Sequence, residues 1–274
     1  MARKRRVDEL LVARGLYPDR ASAERALRAG EVRLADAHKT RLEKPGQLIE
    51  EDCAFERRAA ARFVSRGGDK LAGALADFSY EVAGLRCIDV GASTGGFTDC
   101  LLQAGAACVV ALDVAYGIID WKLRVDRRVR VVERRNIRTA TAADLKELGA
   151  PFDLLVADLS FISLTTVFGA LQRCVNPTGE MLLLVKPQFE AARGEVGRGG
   201  VVRDAQVQRA TLERLEETLR AAGATVRGWS YSPLKGAKGN IEFWLWVGAH
   251  DSGAPCDNKD RIVGVVSDAH QELD

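Results

Sequence analysis

The chain has 274 residues, 47% of them hydrophobic and 28% charged, and 40 Lys+Arg against 38 Asp+Glu leave a formal net charge of +2. Such an apolar fraction fills a globular core, which excludes disorder, collagen-like repeats and coiled coil, and the length suggests about two domains. No apolar run approaches the roughly 18 residues of a membrane span, and MARKRR is followed by VDELLVARG instead of a signal peptide's apolar segment. The expectation is a cytoplasmic protein with no membrane partner.

Cys53, Cys87, Cys100, Cys108, Cys174 and Cys256 form no C-x-x-C pair and have no His at ligand spacing, so neither a metal site nor a disulfide framework is expected. His38, His250 and His270 are the only histidines and no G-x-S-x-G elbow occurs, which sets Ser-His-Asp and Cys-His hydrolase chemistry aside.

Charge is uneven along the chain. Residues 1–62 hold 15 Lys+Arg and 11 Asp+Glu, whereas the rest holds 25 and 27. An excess of this kind at one end marks a segment that meets a polyanion. Within it Val7, Leu10 and Leu11, then Ala23, Ala26 and Leu27, recur at helical spacing. Gly15 and Pro18 separate the two predicted helices, and Gly30 ends the second ahead of a short strand, EVRL. The intervening arginines suit a solvated helical hairpin and a phosphate-binding face equally well. EDCAFERRAAARFVS then reads as a connector without Pro or Gly, whose composition permits a helical joint.

Beyond the connector, apolar β-branched runs fall at Arg86–Val90, Cys108–Val114, Val129–Val132, Asp153–Asp158, Glu180–Lys186, Thr225–Tyr231 and Ile241–Val247. Helical patterns at Gly96–Ala104, Leu164–Cys174 and Ala205–Ala221 alternate with them. The alternation predicts an α/β fold with a mainly parallel sheet covered on both faces. SPLKGAKGN joins the last two strands without a helix, so that edge is expected to be antiparallel. Ile262, Val263, Val266 and Ala269 predict an amphipathic terminal helix after a polar connector at Gly253–Asp260. Gly194, Gly197, Gly199 and Gly200 with Arg193, Arg198 and Arg203 read as a basic loop, either closing over a bound polyanion or simply a surface loop.

The first strand runs into a glycine-rich turn, D-V-G-A-S-T-G-G-F-T, from Asp89 to Thr98. No Lys-Ser/Thr follows its last glycine, so it is no Walker loop. Ser93 stands where a dinucleotide fingerprint has its middle glycine, which disfavours NAD and an oxidoreductase reading. A nucleoside lacking phosphates fits better. Asp113, 22 residues after Gly91, is placed to accept hydrogen bonds from ribose hydroxyls.

RVDELLVARG, RASAERALRAGEVRL and KPGQLI together resemble the S-four-type (alpha-L) RNA-binding module over about residues 5–51. The resemblance implies that Arg6, Arg20, Arg25 and Lys44 contact RNA phosphates, with Arg5 able to substitute. S-R-G-G-x-K-L, D-V-G-A-S-T-G-G-F-T, D-V-x-Y-G, A-D-L-S-F-I-S-L, V-K-P-Q-F-E, G-x-G-G-V-V-R-D and G-N-x-E-F follow in that order. This set resembles the TlyA family of hemolysin-named rRNA 2′-O-methyltransferases, whose catalytic domain is FtsJ-like. What it implies is a Rossmann-like methyltransferase sheet of seven strands with an antiparallel edge, plus a small N-terminal α+β RNA-binding domain. The expected division is 1–58 for the RNA-binding domain, 59–65 for a linker and 66–274 for the methyltransferase domain.

The cofactor implied is S-adenosyl-L-methionine, held by Gly91, Ser93, Gly95 and Asp113 together with Asp89, Thr94 and Gly96 of the same turn. Asn136 is placed on the adenine side, and Phe97 packs either against the cofactor or in the core. A ribose 2′-hydroxyl needs deprotonation and alignment before it attacks a methyl carbon. A lysine base flanked by carboxylates and a second lysine supplies both. Lys70, Asp158, Lys186 and Glu242 stand at or near predicted strand ends and match the Lys-Asp-Lys-Glu tetrad of these enzymes, with Lys186 as the base. Mycobacterial members carry a connector Trp where this chain has Phe63, which implies a weaker contribution to cofactor affinity here. The substrate implied is cytidine ribose in small- or large-subunit rRNA, with rRNA or ribosomal subunits as partners and no DNA. The competing readings are an RNA-binding protein with an inactive cofactor domain and a membrane-active hemolysin.

Overall fold

The computed structural model describes residues 4–28, 31–36, 40, 42, 44–57, 61–248 and 259–273, and it divides into two compact units, 1–62 and 63–274.

The first unit comprises β1 (Lys4–Arg6), α1 (Val7–Ala13), α2 (Arg20–Arg28), β2 (Val32–Leu34), β3 (Leu48–Glu50) and β4 (Phe55–Arg57). β1 pairs antiparallel with β3 and β2 with β4. The helical spacing read from the sequence holds. Val7, Leu10, Leu11, Ala23, Ala26 and Leu27 are buried and close on Tyr17, Val32, Leu42 and Ile49 as one core. The connector differs from expectation, because its first part is strand β4. Phe55 packs on this core, and Glu56 accepts two 2.9 Å hydrogen bonds from Arg33 on β2. Nor does a helical joint form over residues 61–65: Ser65 is extended and α3 (Arg66–Asp77) starts after it, with Phe63 buried against Gly68.

The second unit continues with β5 (Arg86–Val90), α4 (Gly96–Gln103), β6 (Cys108–Leu112), α5 (Trp121–Arg124), β7 (Val129–Val132), α6 (Ala142–Leu148), β8 (Phe152–Ala157) and α7 (Leu164–Gln172). It ends with β9 (Val175–Val185), α8 (Pro187–Glu190), α9 (Ala205–Ala221), β10 (Thr225–Tyr231), β11 (Phe243–Gly248) and α10 (Lys259–Leu273). The seven strands form one sheet in the order β10-β11-β9-β8-β5-β6-β7. β7, β6, β5, β8 and β9 run parallel, and β11 and β10 are antiparallel. Successive residues face opposite layers: Ile88, Leu155, Leu183, Phe243 and Leu245 enter one core, Cys87, Leu154, Leu182 and Trp244 the other. Each such aliphatic side chain taken out of water contributes about 1.5–3 kcal/mol, so both layers hold the sheet.

Several bounds shift. β9 begins at Val175, since N-P-T-G, which reads as a turn, lies within the strand where the pairing with β8 changes register. β6 stops at Leu112, leaving Asp113 beyond the sheet, and Glu242 precedes β11 instead of opening it. In α10, Ile262, Val266 and Ala269 are buried, but Val263 is exposed. The connector at Gly253–Asp260 and Cys256 lie mostly or wholly outside the described residues, and the five other cysteines are free. The glycine-rich segment before α9 is anchored: Val202 is buried, its N–H donating to Asn240 and its carbonyl accepting from Gln208. No helix among the described residues is long and apolar enough to cross a membrane.

From β5 the chain passes outward to β6 and β7, then returns to β8 on the other side. Side chains beyond the carboxyl ends of β5, β8 and β9 therefore border one crevice, the place where such sheets take their ligands.

Candidate active site

The glycine turn after β5 is shaped by contacts that forbid a side chain. Gly91 has φ +87, and a Cβ there would lie 2.6 Å from the Asp158 carbonyl oxygen. Its N–H and that of Ala92 both donate to the Leu112 carbonyl, tying the turn to the end of β6. Gly95 is left-handed at φ +96 and caps α4, while a Cβ on Gly96 would meet Ser65 Oγ at 2.3 Å and Gly68 N at 2.8 Å. The S-R-G-G and T-G-G-F motifs are thus one feature, two glycine pairs packed backbone to backbone.

Two cavities adjoin this turn and share Gly91, Ser93 and Asp158. The larger, about 430 Å³, is walled by Asp113, Asn136, Ile118 and Phe161 among others. Asp113 is fixed by the Ser93 and Ala115 N–H groups, each donating to one carboxylate oxygen at 2.7 Å. Asn136 accepts from the Arg138 N–H at 3.0 Å. The smaller cavity, about 280 Å³, is walled by Lys70, Thr94, Gly96, Phe97 and Gly236 among others. An acid pinned by backbone at the end of β6, beside a turn stripped of Cβ atoms, fits a nucleoside with a short charged extension.

Two turn residues stand apart from these walls. Gly95 gives the turn its shape from behind. Asp89 lies beneath it with no exposed surface, one oxygen accepting from Thr98 Oγ1 at 2.7 Å, and burial pushes its carboxyl up to about 7. Phe97 is buried, its ring 5.3 Å from that of Trp244, and it also lines the smaller cavity. Tyr116 and Trp121 are exposed, Tyr116 under the Arg134 guanidinium.

Lys70, Asp158, Lys186 and Glu242 converge although four separate segments bring them. Asp158 directly follows β8 and Lys186 directly follows β9, and the two form an ion pair. Lys70, in α3, pairs with Glu242 at 2.5 Å. Burial raises the Glu242 carboxyl above its ordinary range, and the charges of Lys70 and then Lys186 oppose that rise. Sequence reasoning missed two supports. Ser160 Oγ accepts from Lys186 Nζ at 3.0 Å. Gly236 makes room for Glu242, since a Cβ would lie 1.9 Å from its carboxylate. The motifs A-D-L-S-F-I-S-L and S-P-L-K-G contain both, and only the fold shows what they touch. Beside Asp158, Phe161 is 90% exposed at φ +64 and rests 5.2 Å from the Phe189 ring. Glu190 ties its own motif, V-K-P-Q-F-E, to A-D-L-S-F-I-S-L through Ser163 Oγ and the Leu164 N–H.

In the first unit, Arg6 and Arg20 meet on the carboxylate of Asp8, Arg25 donates to Ser22 Oγ at 2.9 Å, and Lys44 is exposed.

Residues 63–249 match the FtsJ-like methyltransferase family. The chain is 45% identical to the 16S/23S rRNA (cytidine-2′-O)-methyltransferase TlyA of Mycobacterium tuberculosis, over 90% of this chain and 91% of that one. A hemolysin-named structure from Streptococcus thermophilus superposes with a TM-score of 0.75 at 40% identity, covering 99% of this chain and 98% of its own. Another, from Lactococcus lactis, gives 0.68 at 40% identity over 76% and 99%. With the crevice, the pinned Asp113 and the paired lysines in place, these matches show that the chain belongs to the FtsJ-like, S-adenosylmethionine-dependent methyltransferases and, over nearly its whole length, to the TlyA family.

Proposed function

We propose that this enzyme methylates the ribose 2′-hydroxyl of cytidine in ribosomal RNA in the cytoplasm, with its first unit, of the S-four type, docking on the RNA. The observation that carries the reading is the pairing of Lys186 with Asp158 and Lys70 with Glu242 beside the glycine turn. The relative named for rRNA cytidine 2′-O-methylation supports the substrate.

Bound S-adenosylmethionine supplies an electrophilic methyl carbon. Asp113 and Asn136 would hold its nucleoside end, and Gly91, Ser93, Thr94 and Gly96 would border the remainder. Lys186 Nζ takes the 2′-hydroxyl proton as the oxygen attacks, then passes it to solvent. Asp158 and Ser160 keep its Nζ in place. The Lys70 charge opposes the rise that burial gives the Glu242 carboxyl, and Glu242 orients both lysines. Phe161, exposed and backed by Phe189, offers a stacking face to the target base.

The test is transfer of radiolabelled methyl from S-adenosylmethionine to ribosomal subunits from cells lacking the enzyme, with Lys186→Ala alongside. The expected result is label at a single cytidine, resistant to alkaline cleavage and absent with the variant. Label on a base instead of a ribose would overturn the chemistry, and label surviving in the variant would overturn the role of Lys186.

A further inference from the structure

Asp8 is an acid with no exposed surface inside the unit that carries the chain's basic excess. Its two oxygens take four donors. Arg6 Nε lies 3.1 Å from one and Arg6 Nη2 2.8 Å from the other, Arg20 Nε donates at 2.9 Å, and the Glu9 N–H at 3.0 Å. Arg6 immediately precedes α1 and Arg20 opens α2, so a single carboxylate joins the starts of both helices. A helix-terminal acid needs no guanidinium partner, let alone two, and two arginines brought together without an anion would repel.

The arginines remain open on their other side. Their side chains are 38% and 51% exposed. Arg6 Nη1 and both terminal nitrogens of Arg20 take no part in the bonds to Asp8. Glu9 and Glu24 also approach at the Nε side, at 3.7 and 3.3 Å. Asp8, Glu9 and Glu24 outnumber the two arginines, so the cluster offers fixed guanidinium donors and not a local excess of charge, and donors held in place in this way match phosphate oxygens.

We infer that Asp8 is a positioning residue that holds Arg6 and Arg20 as a preset clamp for a phosphodiester of RNA. The inference rests on the reading that the first unit docks on RNA. Its consequence runs against simple charge counting. Deleting an acid from a surface that meets a polyanion normally tightens binding, whereas deleting the organiser of a clamp weakens it.

The experiment measures binding of the full chain to transcribed ribosomal RNA by filter retention across about 50–200 mM salt. Asp8→Asn is expected to weaken affinity about tenfold and to make log K against log salt shallower by about one phosphate contact. Affinity for S-adenosylmethionine is expected to stay within about twofold, which a general loss of structure would not allow. Should Asp8→Asn fail to fold, Arg20→Lys decides. It keeps the charge at a half-exposed position but loses the fork, and is expected to weaken binding about threefold or more. Tighter or unchanged binding by Asp8→Asn, or unchanged binding by Arg20→Lys, overturns the clamp. Arg6→Ala with Arg20→Ala separates the two readings. If that pair abolishes binding while Asp8→Asn does not weaken it, only the role of Asp8 falls; if the pair binds normally, docking by this face falls with it.

Discussion

At the scale of single residues, two buried groups respond to different tests. Asp89, held up at about 7 by burial, keeps its proton in the folded chain where the unfolded chain, near the ordinary 3.8, has released it. Between those values the folded state binds more protons, so this group's contribution to stability falls as pH rises through the window and levels off above about 7. At about 1.4 kcal/mol per unit, the loss reaches a few kcal/mol. Asp89→Asn cannot ionise, so its urea midpoint is expected to change less between pH 5 and pH 8 than that of the unaltered chain; equal changes would show that Asp89 ionises freely in the fold. Lys186 is tested by Lys186→Arg, which preserves the ion pair with Asp158 but cannot give up a proton at working pH. Methyl transfer is expected to fall by at least 10²-fold with cofactor affinity within about twofold, and near-normal turnover would mean that only a fixed cation is needed. Lys186 and Asp158 were legible in the sequence because strands end at them. Ser160, Gly236 and Asp8 were not, because each acts through a residue from a distant segment or on a distant one. An acid among arginines also reads as a plain countercharge.

At the scale of elements, the legible parts were those with local causes. Parallel strands buried on both faces appear as continuous β-branched runs, and α9 matched its predicted limits because Asp204 caps it through the Gln206 and Val207 N–H groups. What the sequence hid were elements whose limits depend on a partner. β9 carries Pro177 and Gly179 within it, and β4 looks like connector until β2 lies beside it. The glycine turn was visible, but the reason for each glycine was not. Gly91→Ala tests that reason against Gly84→Ala. Both positions have positive φ, +87 and +79, yet a Cβ meets the Asp158 carbonyl at Gly91 and nothing within 4 Å at Gly84. Gly84→Ala is expected to cost only the backbone strain, about 1–2 kcal/mol, without touching cofactor affinity. Gly91→Ala is expected to lower cofactor affinity at least tenfold, measured by calorimetric titration, because the turn must move away from β8. Equal binding by the two variants would remove the argument from close approach.

Across the whole molecule, the division of charge fits the proposal that the first unit supplies attraction to RNA. The first 62 residues carry a net +4 and the remainder a net −2. The two units also have separate apolar cores. A catalytic unit with an acidic balance gains little from long-range attraction to a polyanion, whereas Arg6, Arg20, Arg25 and Lys44 stand on the unit with the excess. Counterion release then makes RNA affinity strongly salt-dependent, with a slope of about −3 to −4 for four phosphate contacts. Between about 50 and 200 mM salt, that is a loss of about 100-fold. A cofactor held, as proposed, by Asp113 and the glycine turn would have no such dependence. The expected result for the full chain is therefore a steep fall of RNA affinity with salt beside a nearly flat cofactor affinity. A chain of residues 61–274 is expected to keep the flat cofactor curve and lose most of the RNA slope. If the shortened chain kept the full slope, attraction would have to come from the arginines around β7, between Arg124 and Arg138, and the first unit would serve the reaction in another way.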